Sequence, residues 1–195
     1  VVKPKLDPRA PGIPSPAIDA FEKGVKALQA KPAKYTEALA AFKESVSIHD
    51  DYIVAWLNLA YTYEKLGRHK ECAEAFRTLI RKDVTDRGVT LALGRALLLS
   101  GETTGAITEF ESVLRKYPED LQSRNNLAAA YLKKDDLKTS LRYVKEVLAV
   151  QPKNVPAIIN LGLLYLKQNK LPLAELMFKK ALKYEKKNAR AQNNL

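Results

Sequence analysis

The sequence contains a single cysteine, Cys72, and no long apolar segment. An intrachain disulfide is therefore excluded, and a folded core must be held together by packing alone. A helix that crosses a bilayer needs about 20 consecutive apolar residues, and no run in this chain approaches that length. We therefore expect a soluble protein, located in the cytoplasm or, if a signal has been removed, in the periplasm or cell envelope.

Residues with catalytic or metal-binding chemistry are scarce. His49 and His69 are the only histidines, each stands alone, and Cys72 has no partner at the spacing of metal ligands or of a thiol nucleophile. The glycines form no phosphate-binding loop, because Gly101 and Gly105 occupy helix-stop and turn positions. We predict that the chain is not an enzyme and that it holds no cofactor and no metal.

Composition and charge indicate a folded, basic protein. The 195 residues are 46% hydrophobic and 28% charged, which is too apolar for a chain that is disordered throughout. The 33 Lys and Arg residues outnumber the 22 Asp and Glu residues, which gives a net charge of +11. This charge favours acidic partners such as nucleic acid, anionic lipid or an acidic protein surface.

One pattern of residues recurs along most of the chain. The stretch AWLNLAYTYEKLGRHKECAEAF, which begins at Ala55, returns as AIINLGLLYLKQNKLPLAELMF at Ala157, three steps of 34 residues later. At each step a leucine is followed by a small residue and then by a large apolar one. The leucines are Leu59, Leu93, Leu127, Leu161 and Leu195, the small residues are Ala60, Gly94, Ala128 and Gly162, and the large ones are Tyr63, Leu97, Tyr131 and Tyr165.

Each 34-residue unit is predicted to form two amphipathic helices, because apolar residues three and four apart lie on one face of a helix. The second helix has a small residue at Cys72, Ala106, Ser140 and Ala174, and a large one at Phe76, Phe110, Val144 and Phe178. Glycine and asparagine tolerate the left-handed conformation of a helix stop. The first helices are therefore expected to end at Gly67, Gly101, Asp135 and Asn169.

This pattern resembles the tetratricopeptide repeat, through Trp56, Leu59, Ala60, Tyr63, Gly67, Cys72 and Phe76 and their counterparts. The resemblance implies an all-α fold, a right-handed α-solenoid of tandem antiparallel helix hairpins. We predict a Pro-rich basic linker at 1–15, a degenerate unit with a longer interhelix turn at 16–52, regular units at 53–86, 87–120, 121–154 and 155–188, and the start of a further unit at 189–195. Pentatricopeptide repeats, which bind RNA, have a different period, and the uninterrupted steps of 34 argue against them.

The resemblance also implies a function, because the first helices of such arrays line a concave groove that binds other proteins. We predict a non-catalytic scaffold or adaptor that binds a peptide or helix of a partner within a multiprotein complex. The candidate groove residues are Asn58, Tyr61, Arg95, Leu98, Leu99, Asn125, Asn126, Leu132, Lys133, Ile159, Asn160, Leu163, Leu166, Lys167 and Asn194.

Two chemical features distinguish these residues. Asparagine occupies the same position in four units, at Asn58, Asn126, Asn160 and Asn194, and primary amides can hydrogen-bond the backbone of an extended peptide. The alternative is that these amides only satisfy neighbouring backbone groups. The other candidate groove residues are rich in leucine. They are expected to bind an amphipathic helix or an apolar, extended segment with some acidic residues. The clamp by which chaperone-binding members of the family hold a C-terminal carboxylate is absent from the regular units.

Other interpretations stay open. Residues 155–195 contain eight Lys and Arg against two Asp and Glu, a balance of +6, so a basic outer surface could dock an acidic partner or, less favourably, nucleic acid. The chain could also be the substrate-recognition arm of a larger enzyme.

The unfinished unit ARAQNNL predicts further repeats or end-to-end self-association, because it leaves apolar residues of the preceding unit partly uncovered. These residues are Leu173, Leu176, Met177 and Leu182.

The first residues, VVKPKLDPRAPGIPSP, contain five of the ten prolines. Such a composition predicts an extended spacer, which could tether the array to a preceding domain or to a membrane through a missing anchor. Because no methionine begins the chain, we expect that the natural N-terminus is missing.

Overall fold

The computed structural model describes residues 12–195, so most of the predicted linker at 1–15 lies outside the described residues. Between residues 12 and 195 the secondary structure is entirely α-helical. The helices are α1 (Ser15–Gln29), α2 (Tyr35–Ile48), α3 (Ile53–Lys65), α4 (His69–Arg81), α5 (Arg87–Ser100), α6 (Thr103–Lys116), α7 (Leu121–Lys133), α8 (Leu137–Val150), α9 (Val155–Lys167), α10 (Leu171–Tyr184) and α11 (Ala189–Gln192). None of these helices has the length and apolarity that a membrane crossing requires.

The chain divides into two compact units, of which the first ends at Glu102 and the second spans Thr103–Leu195. In the first unit each helix from α1 to α5 packs against the next one along the chain. In the second unit the helices from α6 to α11 do the same, and α7 also contacts α9. Short turns between consecutive packed helices produce hairpins, so the predicted all-α architecture of tandem hairpins is confirmed.

The turn after the first helix of each 34-residue step has one recurring hydrogen bond. A backbone amide donates to the carbonyl five residues earlier, from Arg68 to Tyr63, Glu102 to Leu97, Asp136 to Tyr131 and Lys170 to Tyr165. The φ angle is positive at Gly67, Gly101, Asp135 and Asn169. The left-handed helix stops expected from the sequence are therefore confirmed.

The turn of the first hairpin is longer than the others. It spans residues 30–34, whereas the turn after α3 spans residues 66–68, and this confirms the longer turn predicted for the first unit.

The first helices begin at regular intervals and most of them are capped by a side chain. Helices α3, α5, α7, α9 and α11 start at residues 53, 87, 121, 155 and 189, in steps of 34. A carboxylate or amide oxygen immediately before the last four of these helices accepts hydrogen bonds from backbone amides of the first turn, at Asp86, Asp120, Asn154 and Asn188. Such caps satisfy amides that have no partner inside the helix, so they fix where each helix begins.

In two hairpins, α1–α2 and α9–α10, a glycine of the first helix faces an aromatic ring of the second at very short distance. A Cβ atom built on Gly24 would lie 2.6 Å from Cε1 of Phe42, and one built on Gly162 would lie 2.6 Å from Cε1 of Phe178. Both phenylalanine side chains are fully buried. A larger residue at either glycine would push the helices apart, because protein interiors are close-packed.

Cys72 belongs to the packing of its hairpin. The Cys72 thiol lies 3.4 Å from the carbonyl oxygen of Ala60, to which it donates, and the Ser140 hydroxyl donates to the carbonyl of Ala128 at 2.7 Å. Both pairs join residues 12 apart and both side chains are buried. The second small position of the repeat therefore ties the second helix to the backbone of the first.

Replacement of Gly162 by alanine is expected to lower the free energy of unfolding by about 1–3 kcal/mol, because the new methyl group would overlap the ring of Phe178. The measurement is urea denaturation followed by circular dichroism. The double variant with Phe178→Leu should lose less stability than the sum of the two single variants, since the smaller side chain makes room for the methyl group. Unchanged stability of Gly162→Ala would contradict the close contact.

Cys72 is expected to resist alkylation in the folded protein. Burial raises the pKa of the Cys72 thiol to about 12, so little of the reactive thiolate exists near neutral pH. Iodoacetamide should modify the chain only after unfolding in urea, as measured by mass spectrometry. Cys72→Ser should keep the melting temperature, because a hydroxyl can donate to Ala60 as Ser140 donates to Ala128. Rapid modification of the folded chain would show that the thiol is accessible.

Candidate functional site

All the residues predicted to line the groove except Asn194 lie on the first helices of their hairpins. In the first unit, Asn58 and Tyr61 lie on α3, and Arg95, Leu98 and Leu99 lie on α5. In the second unit, Asn125, Asn126, Leu132 and Lys133 lie on α7, Ile159, Asn160, Leu163, Leu166 and Lys167 lie on α9, and Asn194 follows α11.

In the first unit the predicted residues differ in how much surface they offer. Asn58 is 1% exposed, and its side-chain amide donates to the carbonyl of Val54 in its own helix at 2.7 Å. Tyr61 is half-buried, and the ammonium of Lys65 lies 5.2 Å from the centre of its ring. Asn58 therefore belongs to the packing of α3, whereas Tyr61 offers an aromatic surface beside a cation.

On α5 the predicted residues are more accessible. Arg95 and Leu98 are half-buried, and Leu99 is 58% exposed. The guanidinium of Arg95 and the carboxylate of Glu64 both influence the pKa of Cys72, although burial is the larger cause of its shift. On α5, Leu98 and Leu99 therefore offer accessible apolar surface on the same helix as the cationic Arg95.

In the second unit, hydrogen bonds and an ion pair connect α7 and the turn after it with α9 and the turn before it. The side-chain amide of Asn160 donates to the backbone carbonyl of Asn125 at 3.1 Å. The Asn125 amide in turn donates to the side-chain oxygen of Asn154 at 3.0 Å, and Asn154 caps α9 through the amide of Ala157. Near the other end of both helices, the ammonium of Lys167 lies 3.0 Å from the carboxylate of Asp135. These contacts hold the two first helices in register.

Burial separates the predicted residues of the second unit into two groups. Asn125, Leu132, Ile159 and Asn160 are buried and contribute to packing. The other predicted residues of α7 and α9 retain exposed surface. We define them as the α7–α9 face, which consists of Asn126, Lys133, Leu163, Leu166 and Lys167. Leu163 and Leu166 also pack against the core formed by α9 and α10, so only part of each side chain remains accessible.

The four asparagines at the recurring position do not share one role. The amides of Asn58, Asn160 and Asn194 donate to backbone carbonyls, of Val54, Asn125 and Arg190 respectively. The side-chain nitrogen of Asn126 is buried and makes no hydrogen bond within the described part of the chain. The hydrogen bonds of three asparagines support the alternative that they satisfy backbone groups, and Asn126 is the exception.

Asn154 and Asp135 organise this site, although the sequence reasoning did not select them as site residues. A signal for Asn154 was present, because Asp86, Asp120, Asn154 and Asn188 recur at steps of 34 and each precedes a first helix. Polar residues with short side chains at such a position are typical N-caps. The second role of Asn154, as acceptor for Asn125, depends on how the helices pack.

Two tyrosines that could have stacked on bases are engaged within the fold. The Tyr131 hydroxyl donates to the carboxylate of Glu111 at 3.1 Å, and its ring stacks on that of Tyr143 at a centroid distance of 5.9 Å. Burial and the bond to Glu111 raise the pKa of Tyr131 to about 12. Tyr165 is half-buried and packs against the core of α9 and α10. Neither ring is positioned as an open stacking platform for single-stranded nucleic acid.

Side chains that commonly bind metal ions do not gather into a site among residues 12–195. No group of three or more His, Cys, Asp or Glu side chains is arranged there to hold a metal ion. The ion pairs of the described residues join oppositely charged partners at or near the surface, as Arg77 does with Glu102 at 2.6 Å. The candidate site instead offers amide, apolar and ammonium groups, which can contact the surface of another molecule.

Solved structures with the same fold are numerous. MamA from Desulfovibrio magneticus RS-1 aligns with a TM-score of 0.72 and 16% identity, over 91% of this chain and 99% of that chain. A thermophilic protein of Thermus thermophilus, TTC0263, aligns with a TM-score of 0.66 and 20% identity, over 91% and 95% of the two chains. YrrB, described as having an unusual peptide-binding site, aligns with a TM-score of 0.64 and 18% identity, over 91% and 90%. At such low identities these likenesses show a shared fold.

Sequence comparison identifies the family directly. No curated protein matches the chain. Three family models, each of a tetratricopeptide repeat, match residues 27–96, 91–155 and 155–188. These matches extend over most of the chain and agree with its tandem hairpins and its recurring step of 34 residues. The chain therefore belongs to the tetratricopeptide repeat family.

Proposed function

We propose that this protein is a non-catalytic scaffold and that its α7–α9 face binds an extended segment of a partner protein. Tetratricopeptide repeats are protein-interaction modules, and membership of this family supports the general role. The observation that carries the proposal is the side-chain nitrogen of Asn126, which has no hydrogen-bond partner within the described residues.

An amide without a partner is costly inside a protein. A buried donor that makes no hydrogen bond costs about 1–3 kcal/mol relative to one that does. Asn126 is half-buried as a residue, so a rotation of its side chain would present the amide to a carbonyl of a bound segment. Recognition through a backbone carbonyl does not depend on the side chains of the partner, as suits an extended peptide.

The accessible parts of Leu163 and Leu166 supply the apolar contact. The two residues are three apart, so they lie on the same side of α9. Their inner surfaces are anchored against the core, which leaves the remaining surface rigid and ready to cover an apolar side chain of the partner.

The charges at the end of this face favour acidic residues in the partner. Lys133 and Lys167 are exposed at the last residues of α7 and α9. Lys167 pairs with Asp135, but an exposed ion pair contributes little stability and is easily exchanged. The description of YrrB as a peptide-binding protein supports the same use of this fold, by analogy alone.

The proposal is tested by selecting peptides from a random display library on the parent chain and measuring their affinity by fluorescence anisotropy. Leu163→Gln together with Leu166→Gln should weaken binding about tenfold or more, because a bound apolar side chain loses its contact surface. Asn126→Ala should weaken binding about twofold to tenfold, the usual contribution of one hydrogen bond. Selected peptides should be apolar with acidic residues.

The matched control is Val150→Gln, which removes an apolar side chain that is 63% exposed on α8 and lies outside the proposed face. It should leave the affinity unchanged. All variants are compared at equal helicity by circular dichroism. Peptides that bind the α7–α9 variants as tightly as the parent chain, or a library that yields no enriched sequence, would contradict the proposal.

A further inference from the structure

Helix α10 presents a line of apolar side chains to solvent. Leu173 is 42% exposed, Leu176 is 55% exposed and Tyr184 is 39% exposed. With Lys180 these residues recur at three- and four-residue intervals, so they lie along one side of α10, and we name them the α10 stripe. The core residues of α10 are Ala174, Phe178 and Ala181, which alternate with the stripe and face α9 instead. The partial exposure predicted for Leu173 and Leu176 is thus confirmed, and Met177 and Leu182, predicted with them, are half-buried and pack against the core of α9 and α10.

The exposure of Leu176 is not explained by the lack of a following hairpin. The residues at the same position in the preceding hairpins are Glu74, Thr108 and Arg142, at steps of 34. All three are exposed, although another helix packs after each of their helices. A further repeat would therefore leave this position in solvent. Leucine occurs here at a position where the other units of this chain have polar residues exposed to solvent.

Lysines lie within the stripe and around it. The basic residues of α10 and its flanking turns are Lys170, Lys179, Lys180, Lys183, Lys186 and Lys187, and all of them are exposed. Lys179 pairs with Glu175. The other five have no carboxylate within ion-pair distance in the part of the chain that the structure describes. The Glu185 carboxylate accepts a hydrogen bond from the side chain of Asn188.

We propose that the α10 stripe is a contact surface for membranes that contain anionic lipid. Leu173, Leu176 and the ring of Tyr184 would enter the boundary between headgroups and acyl chains, with the helix lying parallel to the surface. Lysine side chains suit this arrangement, because their aliphatic stems cover apolar surface while the ammonium groups remain at the lipid phosphates.

The geometry favours a bilayer over an acidic protein helix as the occupant. Proteins that recognise a helix often hold its apolar face in a hydrophobic groove. The stripe lies on a single helix, on the side turned away from α9, and a flat lipid surface needs only such a face. The stripe also belongs to the second helix of its hairpin, whereas the proposed peptide site uses first helices, so the two surfaces are independent.

The test is co-sedimentation of the chain with sucrose-loaded vesicles, made of phosphatidylcholine alone or of phosphatidylcholine mixed with phosphatidylglycerol. The parent chain should bind the anionic vesicles and dissociate as salt is added. Leu173→Gln with Leu176→Gln should lower the partition coefficient about tenfold, and Lys180→Gln with Lys183→Gln should do likewise. The matched controls on α8 are Val150→Gln and the pair Lys138→Gln with Lys145→Gln, which should bind as the parent does.

A second readout reports where the chain meets the lipid. In a Cys72→Ser background, single cysteines replace Leu176 or Thr108, the exposed residue at the equivalent position of α6. Each is labelled with an environment-sensitive maleimide dye. Anionic vesicles should shift the emission of the dye at 176 to the blue and leave the dye at 108 unchanged.

Three results would overturn the proposal. Failure of the parent chain to bind anionic vesicles at low salt would do so directly. Equal loss of binding in the stripe variants and in the α8 controls would show that net charge alone attracts the chain. The third result combines two observations: analytical sedimentation shows a dimer that the Leu173→Gln with Leu176→Gln variant no longer forms, and the dye at 176 shows no blue shift. This result would mean that the stripe contacts a second copy of the chain and not a membrane.

Discussion

The contact between a glycine of one helix and a phenylalanine ring of the next determines how two hairpins are built, α1–α2 and α9–α10. At Gly24 and Phe42, and again at Gly162 and Phe178, the helices are so close that even one methyl group does not fit. The ring fills the space that the missing side chain leaves, and it is fully buried in both hairpins. This contact seats the second helix against the first and fixes which sides of both helices remain outside the hairpin. The faces available for neighbours and partners follow from it.

Within the second unit, hydrogen bonds between polar side chains determine how one hairpin packs against the next. Asn154 caps α9 and also accepts the hydrogen bond of Asn125 on α7, so the start of one helix and its contact with the other depend on the same side chain. Asn160 adds a bond back to the Asn125 carbonyl. The α7–α9 face therefore has a fixed spacing before any partner arrives, and a preformed surface loses less conformational entropy on binding.

The repeat made the fold predictable, and the same regularity limited what could be predicted about the site. A constant step of 34 shows that Asn126 and Asn160 occupy equivalent places, but it does not show which carbonyl lies within reach of each amide. That depends on differences of a few tenths of an ångström in the distances between side chains of packed helices. The side-chain nitrogen of Asn160 has an acceptor, whereas that of Asn126 has none among residues 12–195. For predicting functional surfaces, residues that depart from the repeat pattern are more informative than residues that follow it. Leu176 stands where Glu74, Thr108 and Arg142 stand in other units, and alignment of the units alone would have revealed it.

The two proposed surfaces differ in how strongly function is coupled to stability. Leu163 and Leu166 contact the core with one side and solvent with the other, so a change that weakens partner binding there also removes packing. Such a surface gains rigidity from the core and has little freedom to vary. Leu173 and Leu176 lie on the side of α10 away from its core residues, and their exposed surface adds nothing to the hairpin. Substitutions at Leu173 and Leu176 could therefore create or remove a binding surface without disturbing the fold, because the close packing of Gly162 on Phe178 would remain intact.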